Sequence, residues 1–262
     1  MHCLSTFALN PLKTCFFKRR AYPKRSLFWG WALAIEILCV FSPQLICSAQ
    51  TNSNEYPAAP QANPTQVQSK KILVLGDSLS AEYGLLKGQG WVALLEERLN
   101  AEHFKWKVLN SSISGDTTSG GLARLPALLA THRPQVVVIE LGANDALRGL
   151  DLKMTQSNLQ SMARLCHEAR AKLLLLGMQV PPNYGRQYNE ELKSSFALVA
   201  KQHQAQLVPF FFQGLVDHVS KLPEPQSQTD AWFQTDRIHP LAKAHPYLLQ
   251  GVWPTLKKIL KD

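Results

Sequence analysis

Short apolar runs alternate with stretches of helical periodicity from Lys70 to the end of the chain. The apolar runs are typical of strands buried on both faces of a sheet, and they lie at 72–75, 106–109, 136–141, 173–176 and 207–212. Strand and helix in strict succession predict right-handed crossovers between parallel strands. The pattern therefore predicts an α/β fold, a three-layer α/β/α sandwich around a central parallel sheet of about five strands.

Four helices are predicted between the strands, where apolar residues recur every three or four positions, and a fifth helix closes the chain. The closing helix carries Leu248, Leu256 and Leu260 among its apolar positions. Pro254 lies within it, and because a proline cannot donate the backbone hydrogen bond of a helix interior, a kink or a restart is predicted there. The roughly 190 residues from Lys70 onward are enough for one domain with a single core.

Residues 1–49 have the composition of a secretory signal peptide. Five basic residues between Lys18 and Arg25 precede an apolar stretch over 27–41, and small residues close the segment at Ala49. Cleavage is predicted near Ala49, so the protein is expected to be exported, either periplasmic or secreted. An uncleaved anchor helix is the alternative, although the apolar stretch is short for a membrane span.

Residues 50–69 are rich in Asn, Gln, Pro, Ser and Ala and lack apolar periodicity, which predicts a disordered linker before a folded domain at 70–262. The net charge of +9 divides unevenly, because residues 1–49 hold six Lys or Arg and one Glu and leave +4 for the rest. No basic cluster with interleaved aromatic residues remains after residue 49. Nucleic acid is therefore not an expected partner.

Cysteine usage argues against a disulfide in the folded domain. Four of the five cysteines lie in residues 1–49, which leaves Cys166 alone. On its predicted helix Cys166 shares a face with Leu159 and Met162, so we interpret it as a buried structural thiol.

Polar, glycine-containing loops follow the first three predicted strands. Ser78 comes after the first strand in a Gly-Asp-Ser turn, Gly115 lies in the loop after the second, and Asn144 follows the third. In an open parallel sheet these loops meet at the carboxyl edge, where ligands bind. A serine hydroxyl, a backbone N–H and a side-chain amide are groups that acyl transfer uses as nucleophile and as oxyanion donors. Taken one at a time, each residue is better explained as a turn or helix-capping residue.

Asp236 and His239 lie three residues apart in one turn before the closing helix. A serine hydroxyl is a poor nucleophile at neutral pH and needs a nearby imidazole, whose tautomer and charged form a carboxylate stabilises. One loop can thus supply both groups to the edge that carries Ser78. His245 is the main competing histidine, but no carboxylate lies three residues before it.

Four short blocks resemble, in order, the motifs of the SGNH (GDSL) hydrolases, which are named after the Ser, Gly, Asn and His of their site. The blocks are 76–80 (Gly-Asp-Ser-Leu-Ser), Gly115, 142–145 (Gly-Ala-Asn-Asp) and 236–240 (Asp-Arg-Ile-His-Pro). The branch of bacterial periplasmic acyl-CoA thioesterases, lysophospholipases and arylesterases is also similar to this chain at 112–117, 121–129 and 182–190. The resemblance extends over nearly all of residues 70–262.

By this resemblance Ser78 would be the nucleophile, His239 the general base and then acid, and Asp236 the partner that orients the imidazole. Gly115 and Asn144 would complete the oxyanion hole together with the Ser78 N–H. The resemblance also implies a flavodoxin-like sandwich and neither a metal nor an organic cofactor.

The resemblance assigns an acyl-binding groove to the loop after the fourth strand, around Val180, Pro181 and Tyr184. Two departures from the family pattern are visible in the sequence. Ala143 stands where the family usually has a glycine after the third strand, and 221–231, with several prolines and glutamines, looks like a local insertion that bears on substrate access.

The expected reaction is the hydrolysis of fatty acyl esters or thioesters through an acyl-enzyme on Ser78, by a monomer that contacts membrane lipids transiently. Two alternatives stay open. The same site could remove acetyl groups from a carbohydrate, or the domain could be a non-catalytic lipid-binding module, which the intact set of Ser78, Asp236 and His239 disfavours. A flavin phosphate site is also disfavoured, because the first loop lacks a cradle rich in Ser and Thr.

Overall fold

The computed structural model of the chain describes residues 69–224 and 228–261. The predicted signal peptide at 1–49 and the predicted linker, apart from Ser69, lie outside the described residues. None of the described helices is both long enough and apolar enough to cross a membrane.

Five short strands form one parallel sheet, as predicted. They are β1 (Lys70–Gly76), β2 (Trp106–Asn110), β3 (Val136–Glu140), β4 (Lys172–Leu176) and β5 (Gln206–Val208), in the spatial order β2-β1-β3-β4-β5. The register places Leu73 of β1 between Leu109 of β2 and Val137 of β3. Because β1 and β3 are neighbours inside the sheet, their carboxyl ends bring the loops of Ser78 and Asn144 side by side.

Helices cover both faces of this sheet. They are α1 (Trp91–Ala101), α2 (Thr118–His132), α3 (Ala143–Leu147), α4 (Leu152–Glu168), α5 (Arg186–Gln202), α6 (Gln213–Val219) and α7 (His245–Lys261). α7 packs against α1 and α6, whereas α4 packs against α2 and α5. Right-handed crossovers place these two groups on opposite faces, so the predicted three-layer sandwich is confirmed.

The fifth strand is shorter than predicted, and the prediction is wrong beyond Val208. Pro209 has no N–H to donate to a neighbouring strand. Gly177 donates to the Val208 carbonyl and then accepts from the Phe211 N–H, each at 2.8 Å, so the chain turns across the sheet edge at this point. The turn leads into α6, which the apolar pattern did not reveal.

The closing helix α7 runs without interruption through Pro254, so the predicted restart does not occur. Fully buried residues lie on both sides of the proline, among them Leu248, Val252 and Leu256. Their burial outweighs the loss of one helical hydrogen bond. The interpretation of Cys166 is confirmed, because this free thiol is fully buried on α4 and burial raises its pKa to about 12.

Candidate active site

Ser78 lies in a tight turn directly after β1. Asp77 shapes this turn, because its Oδ1 accepts a hydrogen bond from the Leu79 N–H (3.0 Å) and its carbonyl oxygen accepts one from the Ala81 N–H (2.9 Å). Asp77 and Leu79 are buried, whereas Ser78 between them is partly exposed. The turn therefore presents the Ser78 hydroxyl at the carboxyl edge of the sheet.

Ser78, His239 and Asp236 form one chain of hydrogen bonds. Ser78 Oγ lies 2.8 Å from His239 Nε2, and His239 Nδ1 lies 2.6 Å from Asp236 Oδ2. A carboxylate only accepts hydrogen bonds, so Nδ1 carries the imidazole proton and Nε2 accepts from the Ser78 hydroxyl. An imidazole in this position can take the serine proton while the carboxylate stabilises the resulting imidazolium.

Asp236 is held in its charged form by its own turn. Its Oδ1 accepts hydrogen bonds from the backbone N–H groups of Ile238 (2.9 Å) and His239 (3.0 Å), and its Oδ2 accepts one from the His239 ring. Partial burial by itself would raise the pKa of Asp236, but these hydrogen bonds together outweigh it and lower that pKa to about 2. The carboxylate is therefore ionised at neutral pH.

A hairpin-like turn over 232–241 carries both members of this pair. Phe233 and Pro240 form an antiparallel bridge at its base. Within the turn the Gln234 N–H donates to the His239 carbonyl oxygen at 2.8 Å. These backbone contacts fix the position of the imidazole relative to the rest of the turn.

Gln234 and Tyr83 join this turn to the loop that follows Ser78. The Gln234 side chain donates to the Tyr83 carbonyl oxygen (3.0 Å), and the centroid of the Tyr83 ring lies 4.4 Å from that of the His239 ring. Sequence reasoning missed both residues, because the two are 151 positions apart and neither belongs to a local motif.

The N–H donors predicted for an oxyanion hole lie in the loops after β1, β2 and β3. Among the described residues, no acceptor binds the backbone N–H of Ser78 or of Gly115. Gly115 has a φ of +78°, a left-handed conformation that glycine adopts readily. Asn144 Nδ2 donates to Asp77 Oδ2 (3.0 Å), which orients the amide and leaves its second N–H available. Unpaired, fixed donors of this kind suit an oxyanion.

Two arginines brace the loop that carries Gly115. Arg124 of α2 forms an ion pair with Asp116 at 2.6 Å. Arg148, directly after α3, donates to the Gly115 carbonyl oxygen at 2.7 Å. Since α3 also carries Asn144, Arg148 links the two loops that supply oxyanion donors.

A second carboxyl group lies beneath the Ser78 turn. Glu140, the last residue of β3, is fully buried, and its Oε2 accepts from the Ser80 hydroxyl (2.7 Å) and the Asp77 N–H (3.3 Å). Burial, and to a smaller extent the neighbouring Asp77 carboxylate, raises the pKa of Glu140 well above its usual range. Burial also raises the pKa of Asp77, to about 6. Glu140 was visible in the sequence as the one acid within the apolar run 136–141, but its role was not recognised.

His245 lies outside the hydrogen-bond chain of Ser78. It is buried at the start of α7, and its Nδ1 accepts from the Trp91 N–H at 3.1 Å, which caps the start of α1. Burial lowers the pKa of His245 to about 4. It is therefore a neutral structural residue, which removes the main competitor of His239.

An apolar groove of about 690 Å³ opens beside these groups. Three of its lining residues adjoin predicted site residues in the chain, namely Leu79, Ala143 and Ile238. The rest of the wall comes mainly from the loop after β4, from α6, and from Trp232 and Phe233. Trp232 and Phe233, which directly follow the predicted insertion at 221–231, thus line the groove.

The three predicted groove residues do not all line this space. Val180 and Pro181 lie in the wall. Tyr184 does not, because its hydroxyl donates to the Leu147 carbonyl oxygen (3.1 Å) and its ring stacks on Tyr188. It lies beside the groove, where these two contacts hold it.

In the part of the chain that the structure describes, no group of three or more His, Cys, Asp or Glu side chains is arranged to hold a metal ion. The site's polar groups are the hydroxyl, imidazole, carboxylate and N–H donors described above.

The site combines a serine bonded to an imidazole, an imidazole bonded to a carboxylate, and fixed N–H donors nearby, all on a parallel α/β/α sandwich. This is the arrangement of a serine hydrolase. The chain belongs to the GDSL-like lipase/acylhydrolase family, whose sequence profile matches residues 74–246. It is accordingly a carboxylic ester hydrolase.

Proteins similar to this chain are esterases or thioesterases by name, which supports the same activity class. The chain is 49% identical over 195 residues to esterase TesA of Pseudomonas aeruginosa, covering 74% of this chain and 92% of TesA. It is 41% identical over 189 residues to thioesterase 1/protease 1/lysophospholipase L1 of Escherichia coli K12, covering 72% of this chain and 84% of that protein. The crystal structure of the esterase EstA from Pseudoalteromonas sp., inhibited by monoethylphosphonate, matches with a TM-score of 0.65 and 39% identity over 74% of this chain and all of EstA.

Proposed function

We propose that this protein hydrolyses fatty acyl esters and thioesters through an acyl-enzyme on Ser78. The observation that carries the proposal is the apolar groove, which begins at the chain neighbours of Ser78, Asn144 and His239. An acyl chain that lies in this groove can therefore have its carbonyl carbon next to the Ser78 hydroxyl.

In the first step Ser78 Oγ attacks the carbonyl carbon while its proton passes to His239 Nε2. A new O–C bond forms, and the carbonyl oxygen becomes an oxyanion. Asp236 stabilises the imidazolium that forms at this moment and keeps the ring in the required orientation. The 2.8 Å and 2.6 Å contacts support these roles, since no rearrangement is needed before the proton moves.

The oxyanion is proposed to accept hydrogen bonds from the Ser78 N–H, the Gly115 N–H and the free N–H of Asn144. Fixed donors of this type stabilise the charge that develops in the transition state, and one of them is typically worth about 10²- to 10³-fold in rate. Asp77 contributes indirectly by holding the Asn144 amide at 3.0 Å.

Collapse of the tetrahedral intermediate breaks the bond to the alcohol or thiol, which leaves with the proton from His239. The acyl group remains on Ser78 Oγ. A water molecule then repeats the sequence, with His239 taking its proton, and releases the carboxylic acid. The same residues serve esters and thioesters, and the relatives named as esterase and as thioesterase and lysophospholipase support both substrate classes.

The groove wall supports an acyl chain as the group that is recognised. It is mostly apolar, with Leu79, Val180, Phe212 and Leu215 among its residues, and each methylene buried there contributes about 0.8 kcal/mol. Such a wall offers little to the hydroxyl groups of a carbohydrate. We therefore place acetylated carbohydrate second among substrates.

The predicted export is kept as part of the proposal. The composition of 1–49 and of 50–69 supports a signal peptide cleaved near Ala49 and a linker, followed by the hydrolase domain from residue 70. A monomer in transient contact with membrane lipids is also proposed. Sequencing the N-terminus of the protein from its host tests the cleavage, and a mature chain that still begins before residue 40 would contradict it.

The decisive test is labelling with a fluorophosphonate, followed by mass spectrometry. One adduct is expected, on Ser78, and none in Ser78→Ala. The matched control is Ser114→Ala, which removes an exposed serine from the neighbouring loop and should label like the parent. The absence of an adduct on folded parent protein would refute the proposed acyl-enzyme.

A substrate panel then tests the acyl preference. Rates on p-nitrophenyl esters are expected to rise with acyl length until the groove is filled, and acyl thioesters should also be cleaved. Faster turnover of acetylated xylan than of every acyl ester would overturn the assignment in favour of a carbohydrate esterase.

A further inference from the structure

Exposed apolar side chains are concentrated at the carboxyl edge of the sheet. Nine large apolar side chains are exposed in the described residues, and all but Leu198 lie in segments that follow the carboxyl ends of strands. Single exposed apolar residues are ordinary on a protein surface, but a cluster around one site calls for an explanation. We call six of them the apolar rim: Tyr83, Leu86, Ile113, Met154, Tyr184 and Ile238.

The apolar rim lies around the groove and the Ser78 turn. The Tyr83 ring contacts His239, and Ile238 is part of the groove wall. The Ile113 N–H donates to the Gly76 carbonyl oxygen at 3.0 Å, which places Ile113 beside the turn of Ser78. Leu86 lies in the same loop as Tyr83, and Met154 lies in the first turn of α4, so both are at the carboxyl edge of the sheet, where the groove opens.

Carboxylates at this edge are largely neutralised within the protein. Asp116 is paired with Arg124, and Asp230 is paired with Arg237 at 2.8 Å. Glu82 is turned into its own loop, where its carboxylate accepts from the N–H groups of Gly88 and Gly90. The carboxylate of Asp151, which is exposed beside Lys153, accepts a hydrogen bond from the Lys153 N–H at 2.8 Å. These four acidic groups are thus engaged by contacts within the protein.

Three basic residues lie one or two positions from rim residues in the sequence. Lys87 follows Leu86, Lys153 precedes Met154, and Arg186 lies two residues after Tyr184; all three cations are exposed. None of them forms an ion pair with another residue of the described chain. Apolar side chains next to unpaired cations favour binding to an anionic lipid surface. The apolar side chain inserts into the bilayer, and the cation contacts the negatively charged headgroups.

We propose that the apolar rim docks this enzyme on an anionic phospholipid bilayer, with Leu86 and Met154 inserting below the headgroups. Docking in this orientation turns the groove entrance toward the lipid, so an acyl chain moves from the bilayer into the groove without crossing water. The inference rests on the proposed function, since it takes a lipid-embedded acyl ester as the substrate.

The test compares the double variant Leu86→Ser/Met154→Ser with the control Leu198→Ser. Leu198 is also exposed (40%) but lies about 18 Å along α5 from the end of that helix at the carboxyl edge. All chains keep the same N-terminal segment, so a difference between variants comes from the rim. Binding is measured by flotation with vesicles of phosphatidylcholine containing about one-third phosphatidylglycerol.

The double variant is expected to bind these vesicles at least about tenfold more weakly than the parent, whereas Leu198→Ser binds like the parent. Lys87→Gln/Lys153→Gln should also weaken binding and reduce its dependence on salt. Equal binding by the double variant and Leu198→Ser would overturn the proposal.

Two further readouts locate the contact and separate it from the chemistry. Vesicles should slow amide hydrogen exchange in 83–87 and 111–117 but not in 196–202, and unchanged exchange in the first two segments would contradict docking. Hydrolysis of soluble p-nitrophenyl butyrate should be equal in all variants. Hydrolysis of a long-chain ester held in vesicles should fall about tenfold in the double variant, in step with the loss in binding. Failure of the parent on the soluble ester would refute the proposed function instead, and the binding result would still stand by itself.

Discussion

Two carboxyl groups near Ser78 have pKa values that are shifted in opposite directions. Asp236 lies in a partly exposed turn, where two backbone N–H groups and the His239 ring lower its pKa to about 2. Glu140 is fully buried at the end of β3, where burial and the nearby Asp77 raise its pKa well above the usual range. The environment thus favours the charged form of one carboxyl group and the neutral form of the other, because the number of hydrogen-bond donors and the access to water differ.

The opposite pKa shifts match different roles, because Asp236 contacts the catalytic imidazole and Glu140 holds the turn that carries Ser78. The charge of Asp236 faces the imidazole and can stabilise an imidazolium. Glu140 contacts no group of the proposed hydrogen-bond chain, but through the Ser80 hydroxyl and the Asp77 N–H it holds the turn that presents Ser78. Substitutions of Asp236 should therefore change the rate of hydrolysis, and substitutions of Glu140 should change the free energy of unfolding.

The largest effect is expected from Ser78→Ala. Activity on p-nitrophenyl esters should fall by at least about 10⁴-fold, because no other group can carry the acyl intermediate. The thermal midpoint of unfolding should stay close to that of the parent, since a partly exposed hydroxyl is lost. Residual activity above a trace in pure protein would contradict the role of Ser78.

Asp236→Asn should lower kcat by about 10²- to 10⁴-fold, and by less than His239→Ala does. The amide removes the negative charge and can no longer hold Nδ1–H in the same way, but the imidazole remains present as a base. Steady-state kinetics on a soluble ester measure this, and a kcat equal to that of the parent would exclude Asp236 from the site.

Glu140→Ala is expected to reduce the free energy of unfolding by about 2–4 kcal/mol, because it leaves a cavity and removes the acceptor of the Ser80 hydroxyl. Glu140→Gln should cost about 1 kcal/mol or less at neutral pH, since the amide resembles the protonated acid in shape. Urea denaturation compares the two. Equal losses in both variants would contradict the neutral state of Glu140.

The pH dependence of stability should distinguish the same two variants. A carboxyl group whose pKa is raised on folding stabilises the folded protein fully at pH values below its unfolded pKa, which is about 4.3 for Glu. This stabilisation is lost as pH rises through the range up to the folded-state pKa. The parent should therefore lose stability relative to Glu140→Gln as pH rises above about 4.3. Unfolding curves at several pH values test this, and parallel profiles would show that Glu140 does not titrate in this way.

The smallest effect is expected from Gln234→Ala, which removes the hydrogen bond to the Tyr83 carbonyl. Loss of one such bond should lower kcat about two- to tenfold through a less well placed His239, with little change in KM. A change in KM alone would indicate that Gln234 acts on substrate binding and not on the imidazole.

Sequence and structure agree most closely where the relevant forces are local. The five strands, the buried Cys166 and the placement of Ser78, Gly115 and Asn144 at one edge follow from apolar periodicity and from loop composition. The differences arise where a distant contact decides. Strand β5 ends early because Gly177, beyond the end of β4, pairs with Val208 and then with Phe211, so the chain turns at Pro209. Helix α7 passes through Pro254 because residues on both sides of the proline are buried.

The sequence by itself determined the alternation of strands and helices, the order of the motif blocks, and the residue types able to carry acyl transfer. These depend on neighbours a few positions apart, so a single chain already displays them. Only the tertiary structure decided that the pKa of Glu140 is raised, that Gln234 reaches Tyr83 and that Tyr184 lies beside the groove. It also decided that exposed apolar residues lie near the groove entrance. Each of these depends on burial or on contacts between residues tens of positions apart, and those quantities exist only once the chain has folded.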